Sequence, residues 1–221
     1  IANRSVVGFL GPNGAGKSTT IRLMSGVLKP EFGTAKICGH DITTEGLHAQ
    51  SCFGYLPEAA AGFGNLTVRE FLTYCGECRA MWGDPLSLAI EKTIDLIELR
   101  PALNQEIRKL SKGWRQRAWL AQAILHDPPV LILDEPTDGL DPNQKDKIND
   151  LIREKRADKT IILSTHILEE VEEVCDRVIL ISNGSIVADN TPENLVQEFG
   201  TLSKAFRTLT TKEPIPQRHN V

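Results

Sequence analysis

The segment Gly11-Pro12-Asn13-Gly14-Ala15-Gly16-Lys17-Ser18-Thr19 fits the pattern G-x-x-x-x-G-K-[ST]. Glycines at this spacing let the backbone curl tightly, so that successive N–H groups point inward at phosphate oxygens. A helix starting at the lysine adds the positive end of its dipole. In such a loop Lys17 neutralises charge on the β and γ phosphates, and the Ser18 hydroxyl ligates Mg2+. Further along, the aliphatic run 130–133 ends in two carboxylates, Asp134 and Glu135. Asp134 is assigned to the metal that bridges the phosphates, through water. Neighbouring side chains on a strand point to opposite faces, so Glu135 can face an attacking water as general base or as the group that positions it. His166 closes another aliphatic run, where it can donate a hydrogen bond to the γ-phosphate.

These groups meet only if their strands end on one edge of one sheet. The runs 6–10, 130–133, 160–164 and 178–181 read as buried parallel strands. Helical patterns over 17–28, 142–155 and 167–174 follow the first three. Strand and helix in alternation imply an α/β fold with a mostly parallel, doubly wound sheet flanked by helices, which binds ligands beyond the carboxyl ends of its strands. Residues 67 to about 126 break that rhythm. Segments 67–82, 86–99 and 113–126 all read as helices, so this stretch is expected to be a helical subdomain inserted in the core. Residues 33–42 look like a hairpin excursion, and Asn183-Gly184 is a type I′ hairpin signal. A short helix is expected over 192–199. The sequence then loses periodicity, and 200–221 is expected to be a poorly ordered tail after a domain spanning 1–199.

Composition narrows the classes. Of 221 residues, 41% are hydrophobic and 24% charged, as in ordinary globular proteins, and the net charge of −4 offers no basic field for nucleic acid. No run reaches the roughly 18 apolar residues of a membrane span. Five scattered cysteines point to reduced thiols and a cytosolic setting. Cys75 and Cys78 form a lone C-x-x-C inside a helical pattern, too few ligands for a zinc site. Trp82, Trp114 and Trp119 read as packing or partner-contact residues rather than a cofactor box. The acidic run Glu169, Glu170, Glu172 and Glu173 reads as a solvated helix face.

The motifs together resemble the nucleotide-binding subunit of ABC transporters, over roughly residues 6–199. The glycine loop matches that family's Walker A, and VLILDE its Walker B with the following glutamate. Leu110-Ser111-Lys112-Gly113-Trp114-Arg115-Gln116-Arg117 resembles its LSGGQ signature, Asp138-Gly139-Leu140-Asp141 its D-loop, and His166 its switch histidine. The resemblance implies a P-loop NTPase that binds and hydrolyses ATP with Mg2+. It implies that two subunits sandwich two ATP molecules head to tail, with Ser111 and Gly113 acting in trans and Asp141 contributing to the nucleotide site. Ser111 begins a helix, so its hydroxyl and the next N–H groups suit an anion. The partners implied are a second cassette and a membrane permease, which would hold the chain at the cytoplasmic face of the membrane. Coupling would run through the helical insertion and the loop near residue 58.

Three departures shape the expectations. Lys112 replaces a glycine and Trp114 a glutamine, a mark familiar from exporter cassettes of the ABC-2 type, so export is the expected direction. Glu58 stands where the family has glutamine; it can ligate Mg2+ but, as a carboxylate, cannot donate hydrogen bonds. Only ten residues precede Gly11, whereas the family places an adenine-stacking aromatic on an antiparallel strand upstream. A truncated cassette with an incomplete N-terminal β-subdomain and weakened base recognition is therefore expected. Two other readings compete. A soluble ABC ATPase acting on ribosomes or DNA is opposed by the acidic charge and the single cassette. A regulatory module without turnover is opposed by Lys17, Asp134, Glu135 and His166.

Overall fold

A computed structural model describes residues 1–59 and 61–211. Strand β1 (Val6–Leu10) leads through the glycine loop into α1 (Lys17–Met24). A short antiparallel pair follows, β2 (Lys36–Ile37) with β3 (His40–Asp41), then α2 (Gly46–Ser51) and β4 (Phe53–Leu56). The inserted helices are α3 (Val68–Cys78), α4 (Gly83–Leu96) and α5 (Lys112–Ile124). The core resumes with β5 (Val130–Asp134), α6 (Pro142–Lys155), β6 (Thr160–Thr165), α7 (Leu168–Val174), β7 (Arg177–Ser182) and β8 (Ser185–Asn190). Helices α8 (Pro192–Phe199) and α9 (Leu202–Thr210) close the described chain.

The main sheet runs β4-β5-β6-β1-β7-β8. Its first five strands are parallel, and β8 returns antiparallel beside β7. Parallel strands are covered on both faces, which is why β1 is buried at all five positions and reads as one aliphatic run. The β7–β8 hairpin turns through Asn183 and Gly184 at φ 49° and 74°, the two left-handed residues of a type I′ turn.

The helical insertion is set by local chemistry as well as by packing. Thr67 and Glu70 form a capping box at the start of α3. Ser111 caps α5 and Asp141 caps α6. Helix α4 stops near Ile97 because Glu98 turns left-handed at φ 53°. Val68, Phe71, Leu72, Ile90 and Ile94 pack with Leu120 and Ala121 of α5 into the same apolar cluster as the sheet, so the insertion is fused to the core. None of the described helices is long and apolar enough to cross a membrane.

Two expectations change. Residues 202–210 are not a structureless tail. Thr201 caps α9, whose Leu202 and Ala205 are buried, because its short apolar positions fall on one face. The rest of that expectation, for 212–221, lies outside the described residues. Glu170 is not part of a solvated face either. It is buried, with only 5% of its surface exposed, on the helix with Val171 and Val174, and its carboxylate accepts from the buried hydroxyls of Thr137 and Thr165.

Candidate active site

The glycine loop curls as its residue types require. Gly14 and Gly16 are left-handed at φ 78° and 107°, and Gly16 is the residue on which α1 begins. Gly11 has no room for a side chain, since a Cβ there would lie 2.3 Å from the Ile181 carbonyl oxygen. The tip of the β7–β8 hairpin props the loop, with the Gly184 N–H donating to the Ala15 carbonyl at 2.9 Å. Lys17 is buried under the loop and its Nζ donates to the carbonyls of Gly11 at 2.8 Å and Pro12 at 3.3 Å. Those bonds hold the ammonium where incoming phosphates would meet it.

Ser18 stands between two carboxylates. Its Oγ lies 3.1 Å from Glu58 Oε2 and 3.1 Å from Asp134 Oδ1. Asp134 is fully buried, it accepts a hydrogen bond from Ser164, and its Oδ2 has no hydrogen-bond partner. Burial pushes the Asp134 carboxyl above the usual carboxylate range, and the nearby charge of Glu58 adds to this. One hydroxyl and two carboxylates, one with a spare buried oxygen, form a hard oxygen donor set that suits Mg2+. Glu58, reached only through the family pattern, thus lies beside the other two oxygen donors.

Glu135 leaves the sheet at φ 50°, in a region that side chains other than glycine rarely adopt. Its backbone N–H donates to Ser164, and its carbonyl accepts from Gln116 Nε2 at 3.0 Å. The turn aims the carboxylate at His166, whose Nδ1 is 2.9 Å from Oε2, while Lys17 Nζ is 4.0 Å from Oε1. Burial raises the Glu135 carboxyl, and the hydrogen bond to His166 partly offsets this. A raised carboxyl in contact with a half-exposed histidine is a suitable base for a water that enters from solvent.

Lys17, Ser18, Glu58, Asp134, Glu135 and His166 are therefore one connected group. Ser111, Gly113 and Asp141 are elsewhere. Among the described residues no hydrogen bond or ion pair joins them to residues 11–19. Ser111 accepts from the Trp114 N–H at 3.3 Å, and Asp141 accepts from the Gln144 N–H at 3.0 Å. Gly113 is packed against Gln144 and Leu140, where a Cβ would come within 2.9 Å of Gln144 Oε1. Lys112 pairs with Asp138 at 2.7 Å and lies over Gly139. That pair is exposed, so Lys112→Ala is expected to change unfolding free energy by less than about 1 kcal/mol, read from urea denaturation.

Arrangement and sequence meet in one class. The family model for ABC transporters matches residues 1–138, and the chain belongs to that family as an ATP-binding, ATP-hydrolysing protein. It is 37% identical to the uncharacterized ABC transporter ATP-binding protein YxlF of Bacillus subtilis, over 95% of this chain and 68% of that one. It is 35% identical to the Nod factor export ATP-binding protein I of Burkholderia lata, over 86% of this chain and 63% of that protein. Among solved structures, an ATP-binding subunit of an ABC transporter superposes with a TM-score of 0.86 at 30% identity, covering 94% of this chain and 89% of that one. The dimeric cassette MJ0796 shares the fold, with a TM-score of 0.80 at 23% identity, covering 86% of this chain and 87% of that one.

Proposed function

We propose that the chain powers export through a membrane permease, and that it does so by closing against a second cassette when ATP binds. The export direction is supported by the likeness to a relative named for Nod factor export. The closure rests on one observation. Two helix starts suited to anions, α1 behind Gly16 and α5 behind Ser111, have no bond linking them among the described residues. A second copy turned head to tail brings the Ser111 end of one chain over the phosphate loop of the other, which is an isologous arrangement.

In the closed pair, Lys17 holds the β and γ phosphates and the α1 N–H groups cradle them. Ser18, Asp134 and Glu58 would hold Mg2+, which would supply charge neutralisation on the phosphates. Glu135 takes the proton of the attacking water, and His166 orients the Glu135 carboxylate through its Nδ1 contact.

Hydrolysis of MgATP is expected to rise more steeply than linearly with chain concentration in the dilute range, because the active species contains two copies. A rate per chain that stays constant from nanomolar to micromolar concentration would sink the two-copy mechanism.

A further inference from the structure

We infer that Glu170 is a positioning residue for hydrolysis: it ties the chain segment that carries Glu135 to the segment that carries His166. Its two carboxylate oxygens are divided between them. Oε1 accepts a hydrogen bond from the hydroxyl of Thr137, two residues beyond Glu135. Oε2 accepts one at 2.8 Å from the hydroxyl of Thr165, which immediately precedes His166. The Thr165 oxygen also accepts from the Ile167 N–H at 3.0 Å, so the turn into α7 is bound into the same unit.

The tie lies just past the last bonds that join the two segments directly, those from the Glu135 N–H to the carbonyl and hydroxyl of Ser164. The β5–β6 ladder ends at Asp134 opposite Ser164. Beyond it, one segment turns away toward Asp141 and the other toward α7. Glu135 and His166 sit on these diverging segments, yet their side chains meet at 2.9 Å. Thr137 and Thr165 are 2% and 0% exposed, so water cannot replace their bonds to Glu170. No Lys, Arg or His pairs with Glu170 among the described ion pairs. A buried carboxyl without a cationic partner is costly, and an apolar residue would fill the place more cheaply. What an apolar residue cannot do is accept from two hydroxyls on two separate segments at once.

The test is a mutant cycle on the full chain, with hydrolysis followed by single turnover so that slow rates are resolved. Glu170→Ala is expected to lower the rate at saturating MgATP about tenfold, with the nucleotide concentration for half-saturation changed less than about twofold. Glu170→Gln, which can still bridge both hydroxyls, is expected to recover to within about threefold. In a His166→Ala background the further loss from Glu170→Ala should shrink below about twofold, since no pair remains to be positioned. Thr137→Val and Thr165→Val each remove one arm and serve the same comparison if Glu170→Ala does not fold. A rate within about twofold of the unsubstituted chain, or an equal loss with and without His166, overturns the inference and leaves Glu170 a purely structural residue.

Discussion

Replacing Glu135 with Gln is expected to lower steady-state MgATP hydrolysis by at least about a hundredfold while nucleotide affinity stays within about twofold. The amide matches the carboxylate in shape, so the contacts to His166 and the nearby Lys17 change little in size. Lys17 keeps its bonds to the Gly11 and Pro12 carbonyls, and with them its place under the phosphates. What is lost is the carboxylate's charge and, with it, the capacity to take a proton. A hydrolysis rate within about tenfold of the unsubstituted chain would remove Glu135 from the role of base.

The same residue sets a pH dependence whose sign is fixed by its burial. The Glu135 carboxyl is raised, so it protonates at a higher pH than a free glutamate, whose value is about 4.3. Hydrolysis should fall as pH falls, and the fall should begin above the ordinary carboxylate range. For stability the sign is reversed. A folded-state value above the unfolded one means that the folded chain holds the proton more tightly. The resulting stability is present at low pH and lost as pH rises through the folded value. Near neutral pH the ionised Glu135 is therefore a net cost, even with Lys17 and His166 beside it. Glu135→Gln is expected to melt higher than the unsubstituted chain at pH 7, and the gap should close as the pH is lowered. A variant that melts lower at pH 7 would show that the Lys17 contact outweighs desolvation.

Gly54→Ala is expected to cost about 3 kcal/mol or more, a large part of the roughly 5–15 kcal/mol that holds a domain folded. A Cβ at Gly54 would lie 1.7 Å from the Ala123 carbonyl oxygen and 2.6 Å from its carbon. Those atoms are α5 backbone, so no side chain can swing aside. Helix α5 is further pinned to β4 by Gln122 Nε2 donating to the Tyr55 carbonyl and by His126 Nε2 against the Phe53 carbonyl. Relief requires the helix to move off the sheet. Because α5 starts at Ser111 and β4 leads to Glu58, the same shift disturbs both ends of the functional machinery. Gly33→Ala is the control for added bulk, since its Cβ would meet nothing within 4 Å, although its φ of 75° carries a backbone strain of its own. A loss below about 1 kcal/mol for Gly54→Ala, in urea denaturation, would show that the helix yields easily.

Most of the strands were legible because parallel strands are buried on both faces. Runs such as Val130 to Leu133 need no alternation to be recognised. The Lys17, Asp134, Glu135 and His166 group was legible because each residue ends or follows such a run, and strand ends converge. Strand β8 was visible only through its turn. It is an edge strand, largely exposed at Ile186 and Val187, and its composition is that of a loop. Helix α9 was overlooked although Leu202, Ala205, Phe206 and Leu209 fall at i, i+3, i+4 and i+7 and pack against the core, because the segment is short and follows Gly200. Glu170 was misread for a different reason. Four glutamates within five residues look like a solvated face, and nothing local shows that one of them meets hydroxyls presented by Thr137 and Thr165. Long-range polar satisfaction leaves no periodic trace in a sequence.

The placement of β1 has a consequence for how the protein is made. It leaves the ribosome well ahead of β6 and β7, the two strands it pairs with among the described residues, so that Val6 must wait for Ile161 and Val7 for Arg177. The glycine loop waits longer still, for the Gly184 turn that props it. At a synthesis rate of roughly 5 to 20 residues each second, the most apolar strand of the sheet and the phosphate loop behind it stay unpaired for several seconds or more. During translation the nascent chain is thus a natural client for chaperones that cover apolar segments, and it cannot hold nucleotide until almost the whole of its core has been made.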